Sequence, residues 1–268
     1  MKIQTELDEH GNTPLFKCVS ESKIDKVKSL IKSGINVDHV NSFGDTALQF
    51  AVDQNSTKIM KLLAKASDNV DIPDKNGGTA LIYAAAKGKM EYVRILVSHG
   101  ANVNVVMNGN ESMPLLQSLL NGHGAIATYL INNGANVNPI VTDQNTPIIY
   151  AIFNKLPDVA LLLIDKGCDI KKPGNDNISA LTAAVTLGDV NVVDALINRG
   201  ADVNAQDVRG TNPLFQAVYN NKPEIVRCLF FAGADINAKD NKGNTPKKMA
   251  EDGGFQEIID VFNSIPSS

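Results

Sequence analysis

"DKNGGTALIYAAAKGKMEYVRILVSHGANVN", residues 74–104, is the stretch that decides how this chain folds. It opens on a turn rich in Asp, Asn and Gly, then reaches the short helix that "TALIYAAAK" predicts, with Thr79 suited to cap it. Ala84 and Ala85 are small enough for a neighbouring helix to approach closely. Gly88 tolerates the positive φ of a sharp reversal. The next segment, "MEYVRILVSH", repeats apolar residues at Met90, Val93, Leu96 and Val97, which is helical spacing. Gly100 closes it in the same way, and "ANVNVV" is too short and polar to be more than an extended connector. Two short helices cannot bury an apolar face alone, so the unit requires neighbours to stack on.

Those neighbours are in the chain. "SHGANVN", "NNGANVN", "NRGADVN" and "FAGADIN" carry Gly100, Gly134, Gly200 and Gly233; with Gly34 and Gly167 the successive gaps are 66, 34, 33, 33 and 33 residues. The 66 is two periods, with Ser67 in the skipped slot. A second marker keeps time with the first: "NTPLF" at 12, "DTALQ" at 45, "GTALI" at 78, "SMPLL" at 112, "NTPII" at 145, "ISALT" at 178, "TNPLF" at 211 and "NTPKK" at 244. One extra residue near 107–110 explains the single longer gap. Two markers in step establish an internal repeat.

The unit resembles the ankyrin repeat, whose period is about 33 residues and whose hallmark is a T-P-L-H-x-A stretch. The resemblance runs over 8–268: repeats at 8–40, 41–73, 74–106, 107–140, 141–173, 174–206 and 207–239, with a truncated capping repeat at 240–268. It implies one domain over 1–268, an all-α ankyrin-repeat solenoid of stacked antiparallel helix pairs with β-hairpin-like loops on one side. It also implies a protein-protein interaction module that binds through loop tips and the concave inner-helix surface.

The chain departs from the family pattern in several places. Phe16, Gln49, Ile82, Leu116, Ile149, Thr182, Phe215 and Lys248 stand where the family has His, so the hydrogen bonds of that His are replaced or absent. A left-handed Ser67 would cost about 1 kcal/mol. Met113 replaces the capping Thr, beside the longer loop "VVMNGNES", and Lys247 replaces a core Leu in a last repeat that reads as a solvated cap.

Composition excludes several functions. The 268 residues carry a net charge of −4, against the basic excess of a nucleic-acid binder. No apolar run reaches the ~18 to 20 residues of a membrane span, and "MKIQTELDEHGNTP" lacks the apolar stretch of a signal peptide. Cys18, Cys168 and Cys228 lie far apart and do not form a disulfide framework. Their repeat phase predicts buried small hydrophobes. The expected setting is a reducing cytoplasm, that of its own cell or, for an effector, of a host.

Catalytic signatures are missing as well. "GHGAIA", 122–127, fits the loose G-x-G-x-x-A fingerprint, but the repeat frame places it between two helices, without the strand that a dinucleotide site needs. His10, His39, His99 and His123 form no metal-ligand spacing, and no C-x-x-C occurs. Asp74, Asp202, Asp207, Asp235 and Asp240 read as turn formers. The expectation is therefore a non-enzyme with no cofactor and no metal. Asn204 and Asn237 resemble the hairpin asparagines that oxygenases hydroxylate in some ankyrin proteins.

One stretch raises a different possibility. "NTPIIYAIFNK", 145–155, starts as a helix, with Thr146 able to cap and Pro147 suited to the first turn, yet it is apolar on more than one face. In repeat phase Phe153 sits in a column with Ser20, Asp53, Ala86, Leu120, Thr186, Tyr219 and Asp252, which the family resemblance places toward solvent on the concave face. Leu187 belongs to the next column. The expected protein-binding surface is Leu120, Phe153, Leu187 and Tyr219, extended by Tyr150 and rimmed by the loop-tip residues Asp143, Asp176 and Arg209. Side chains tucked into grooves between repeats would be the purely structural alternative. The partner would be one or more proteins, with no nucleic acid and no membrane, and the chain a monomer in isolation. Self-association through the same residues is the second reading, and an enzyme with a site in the concave groove the remote one.

Overall fold

A computed structural model describes residues 6–107, 113–139 and 145–264. Among them are sixteen α-helices in consecutive pairs, one 3₁₀ turn and no strand. The chain groups into two compact units, Met1–Asn136 and Val137–Ser268.

In the first unit the inner helices are α1 (Pro14–Ser20), α3 (Ala47–Ala51), α5 (Ala80–Ala86) and α7 (Pro114–Leu120). Each is followed by an outer partner: α2 (Ile24–Lys32), α4 (Thr57–Ala66), α6 (Met90–Ser98) and α8 (Gly124–Asn132). Inner helices pack on inner and outer on outer, so the core is a ribbon running along the stack. The second unit repeats the plan with inner α9 (Pro147–Phe153), α11 (Ala180–Leu187), α13 (Pro213–Tyr219) and α15 (Pro246–Gly253). Its outer helices are α10 (Pro157–Asp165), α12 (Val190–Asn198), α14 (Pro223–Phe231) and α16 (Gln256–Asn263).

The local chemistry explains these boundaries. Thr46, Thr79, Ser179, Asn212 and Thr245 each accept a backbone N–H of the first turn. Thr146 does not: its hydroxyl is buried without a partner among the described residues, and so is that of Thr13. Pro147 and Pro14 follow them, fixing a helical φ and removing one orphan donor, so these starts hold without the cap. Among the described residues the loops include Asp and Asn turns rather than hairpin strands. Asp74 Oδ1, for example, accepts from the N–H groups of Asn76 (2.8 Å) and Gly78 (2.9 Å). In the repeat beginning at 174 the turn is instead a 3₁₀ segment, Asn175–Asn177, with Asp176 and Asn177 left-handed at φ 55° and 58°.

Two departures from consensus are resolved by partners outside the local sequence. Ser67 is extended (φ −75°, ψ 136°), so the left-handed strain is not incurred. Its hydroxyl donates to Asp38 Oδ1 at 2.6 Å, and Asp38 Oδ2 accepts the N–H of Asp68 at 2.8 Å. Gln49 takes over hydrogen bonds at its helix start. Its Oε1 accepts from Thr46 N (2.7 Å) and Oγ1 (3.0 Å), while Nε2 donates to the carbonyls of Ile72 (3.1 Å) and Gly78 (2.7 Å). At the matching places Phe16, Ile82, Leu116, Ile149 and Phe215 are simply buried.

Cysteine burial is less uniform than the repeat phase implies. Cys168 is buried, whereas Cys18 and Cys228 are only half-buried. Lys247, in the slot of a core Leu, is exposed and donates to Asn263 Oδ1 at 3.1 Å, which leaves a polar outer face on the last pair.

Candidate protein-binding surface

Most of the apolar excess in "NTPIIYAIFNK" is core. Ile148 and Ile149 are fully buried and Ile152 nearly so, because α9 packs against both α10 and α11. A helix covered on several sides needs more than one apolar stripe. Phe153 is the exception. It is the last residue of α9 and remains 46% exposed; beyond it Asn154 caps the helix and the chain turns at Lys155, φ 56°. Tyr150 is half-buried, and burial raises its phenol pKa.

The same helix-end position is filled differently along the second unit. In α11 Thr186 occupies it, exposed, with its hydroxyl donating to the Thr182 carbonyl at 2.9 Å. Leu187, one residue on, is half-buried. In α13 Tyr219 is 71% exposed. Because α9, α11 and α13 pack in succession, Phe153, Leu187 and Tyr219 mark the ends of three consecutive inner helices. Leu120, 41% exposed, ends α7 and belongs to the first unit.

The loop-tip residues are tied into the stack. Asp143 lies outside the described residues. Asp176 is exposed, and its carbonyl accepts the Val208 N–H at 3.1 Å. Arg209 is committed to its own turn, donating from Nε (3.0 Å) and Nη2 (2.8 Å) to Asp207 Oδ2. Its carbonyl accepts the Asn241 N–H at 3.1 Å, which links that tip to the next.

Other exposed apolar residues escaped the concave-column reading. Phe231, 83% exposed, ends α14 in a column otherwise occupied by Lys32, Lys65, Ser98, Asn132, Asp165 and Asn198. Val208, 63% exposed, stands beside Arg209, and Phe43, 59% exposed, is at another tip, its ring 5.6 Å from that of His10. Aligning the outer-helix columns as well as the inner ones would have found Phe231.

The residues that the sequence singled out for chemistry make structural contacts. Gly122, φ 72°, turns the chain after α7, so "GHGAIA" joins two helices. His39 and His123 donate from Nε2 to the carbonyls of Gly11 (2.8 Å) and Ala86 (3.1 Å), and His99 from Nδ1 to that of Ile95 (2.8 Å). Among the described residues no group of three His, Cys, Asp or Glu is placed to hold a metal ion. Burial, with Asp169 alongside, pushes the Cys168 thiol up to about 12, the opposite of an activated nucleophile. Burial and Asp194 likewise raise Cys228. No helix among the described residues is long and apolar enough to cross a membrane.

A family model described as "Ankyrin repeats (3 copies)" matches residues 15–107, 106–174 and 170–240. Comparison with curated proteins gives no significant match.

Proposed function

The chain belongs to the ankyrin-repeat family, and from that premise we propose that it is a non-catalytic scaffold, adaptor or sequestering module that holds a partner protein on its concave inner-helix surface. Ankyrin repeats are generally protein-protein interaction modules. The observation that supports this location is the solvent exposure of Phe153 and Tyr219 at the ends of helices whose aliphatic side chains and Phe215 are buried. Leu187 lies between them in the stack and Tyr150 beside Phe153, with Asp176 and Arg209 as polar rim. Covering a fully exposed side chain of this size contributes roughly 1.5 to 3 kcal/mol by area alone, so two or three such residues suffice as hot spots.

The test is a paired pull-down from cell lysate with wild type and a Phe153→Asp, Tyr219→Asp variant shown by circular dichroism to be folded. A protein recovered by the wild type and lost by the variant supports the concave site and names the partner. Equal recovery removes these residues from the interface. Concentration-dependent light scattering by the wild type that the variant abolishes would favour self-association.

A further inference from the structure

At three joints between successive helix pairs, a single asparagine side chain ties one connector to the next. Asn104 donates from Nδ2 to the Gly134 carbonyl (3.0 Å) and accepts at Oδ1 from the Asn136 N–H (2.7 Å). Asn138 does the same with Gly167 (3.1 Å) and Asp169 (2.6 Å), and Asn204 with Gly233 (3.2 Å) and Asp235 (2.8 Å). The recurring slot is thus one backbone acceptor and one backbone donor, two residues apart, bridged by a primary carboxamide.

At the joint after α10 the residue in phase with these asparagines is Lys171. An ammonium can donate to a carbonyl but cannot accept from an N–H. The matching backbone groups are the Gly200 carbonyl and the Asp202 N–H; both residues are exposed, and neither group has a protein hydrogen-bond partner among the described residues. The one nearby hydroxyl, that of Ser179, is engaged with Thr182 N (3.0 Å) and Oγ1 (2.9 Å). Here Ile170, Lys171, Ser179, Leu181, Gly200 and Asp202 are among the walls of a cavity of about 380 Å³.

The chemistry that completes this slot follows from the three filled ones. A trans peptide group points its N–H and C=O in opposite directions, so one such group cannot serve both Gly200 and Asp202. A carboxylate could accept from Asp202 but would turn its second oxygen toward the Gly200 carbonyl. Lys171 and Asp202, of opposite charge, both line the groove, which favours a neutral ligand. In the filled joints the amide comes from a connector outside any helix. We propose that the groove between 170–171 and 200–205 is a docking site for a carboxamide side chain, an asparagine or glutamine carried on an extended segment of a partner protein. This site is separate from the inner-helix surface and stands without it.

The test is nuclear magnetic resonance of the full chain, ¹⁵N-labelled, titrated with three capped peptides: acetyl-Gly-Asn-Gly-N-methylamide and its Asp and Leu counterparts. The N-methyl cap removes the terminal carboxamide that would otherwise confuse the result. Two hydrogen bonds, each worth about fivefold in an equilibrium constant, are offset by the cost of association, so binding is weak and the titration runs to ~100 mM. The expected result is a downfield shift of the Asp202 amide with the Asn peptide alone. A Lys171→Asn variant, which supplies the amide internally, should lose that response and slow Asp202 hydrogen exchange about fivefold. Equal shifts with all three peptides, no shift by ~100 mM, or unchanged Asp202 exchange in Lys171→Asn would each overturn the proposal.

Discussion

Replacing Asp71 with asparagine should stabilise the first unit, although it removes a carboxylate that already makes a hydrogen bond. Asp71 stands where Asn104, Asn138 and Asn204 stand in later repeats. Its Oδ2 accepts the Asn102 N–H at 2.8 Å, as the asparagine Oδ1 atoms do in their joints. Its Oδ1 takes the place of the amide nitrogen, and it is buried without a partner among the described residues. The residue in phase with Gly134, Gly167 and Gly233 is Gly100, whose carbonyl can only accept. A buried unpaired acceptor costs about 1 to 3 kcal/mol. Giving up the charge on the Asn102 bond returns about 1 kcal/mol of that, since bonds to charged groups are the stronger ones. The net expectation for Asp71→Asn is a gain of about 1 kcal/mol, or roughly 3 °C in melting temperature. Urea titration followed by circular dichroism gives the sign, and hydrogen exchange at the Asn102 amide locates the effect. The converse change, Asn104→Asp, should destabilise by about 1 to 3 kcal/mol. A neutral or destabilising Asp71→Asn, or an Asn104→Asp without cost, would refute the reasoning.

Gln49→Leu should cost about 2 kcal/mol in urea titration, because it leaves Thr46 N and the Ile72 and Gly78 carbonyls without that partner; a cost under about 0.5 kcal/mol would mean that water serves them equally well. Cys168 should resist a thiol-specific disulfide reagent at neutral pH in the folded protein and react at once in denaturant, since burial raises its pKa; rapid modification of the folded chain contradicts the packing described for it. Burial pushes the Asp207 carboxyl up, but hydrogen bonds from Arg209 and Thr211 outweigh it and hold the pKa below its ordinary value. A carboxylate so lowered contributes stability that is fully present above the unfolded pKa of about 3.9 and is lost as pH falls through the lower native value. Denaturation of wild type should therefore lose more stability between about pH 5 and pH 2 than that of Asp207→Asn; parallel curves would remove Asp207 from the acid response.

The repeat was legible because it depends on local chemistry. A helix cap, a left-handed glycine and an apolar pair recurring every 33 residues each act within a few residues, so "DKNGGTALIYAAAKG" declares its turn, helix and reversal unaided. Column position also foretold that Phe153 and Tyr219 end exposed, since a side chain at the close of an inner helix lies beyond the core ribbon. The destinations of polar side chains were not legible. Gln49 reads as a lost histidine until Ile72 and Gly78 are brought to it, and Ser67 as a strained glycine substitute until Asp38 arrives beneath it. Nor did "PIIYAIF" reveal that Ile148, Ile149 and Ile152 are all covered. Residues that determine these outcomes sit about one repeat away in sequence, and only stacking puts them within hydrogen-bonding or van der Waals reach. The sequence by itself determined the unit and its period; tertiary structure decided which polar groups find protein partners and which apolar faces are core.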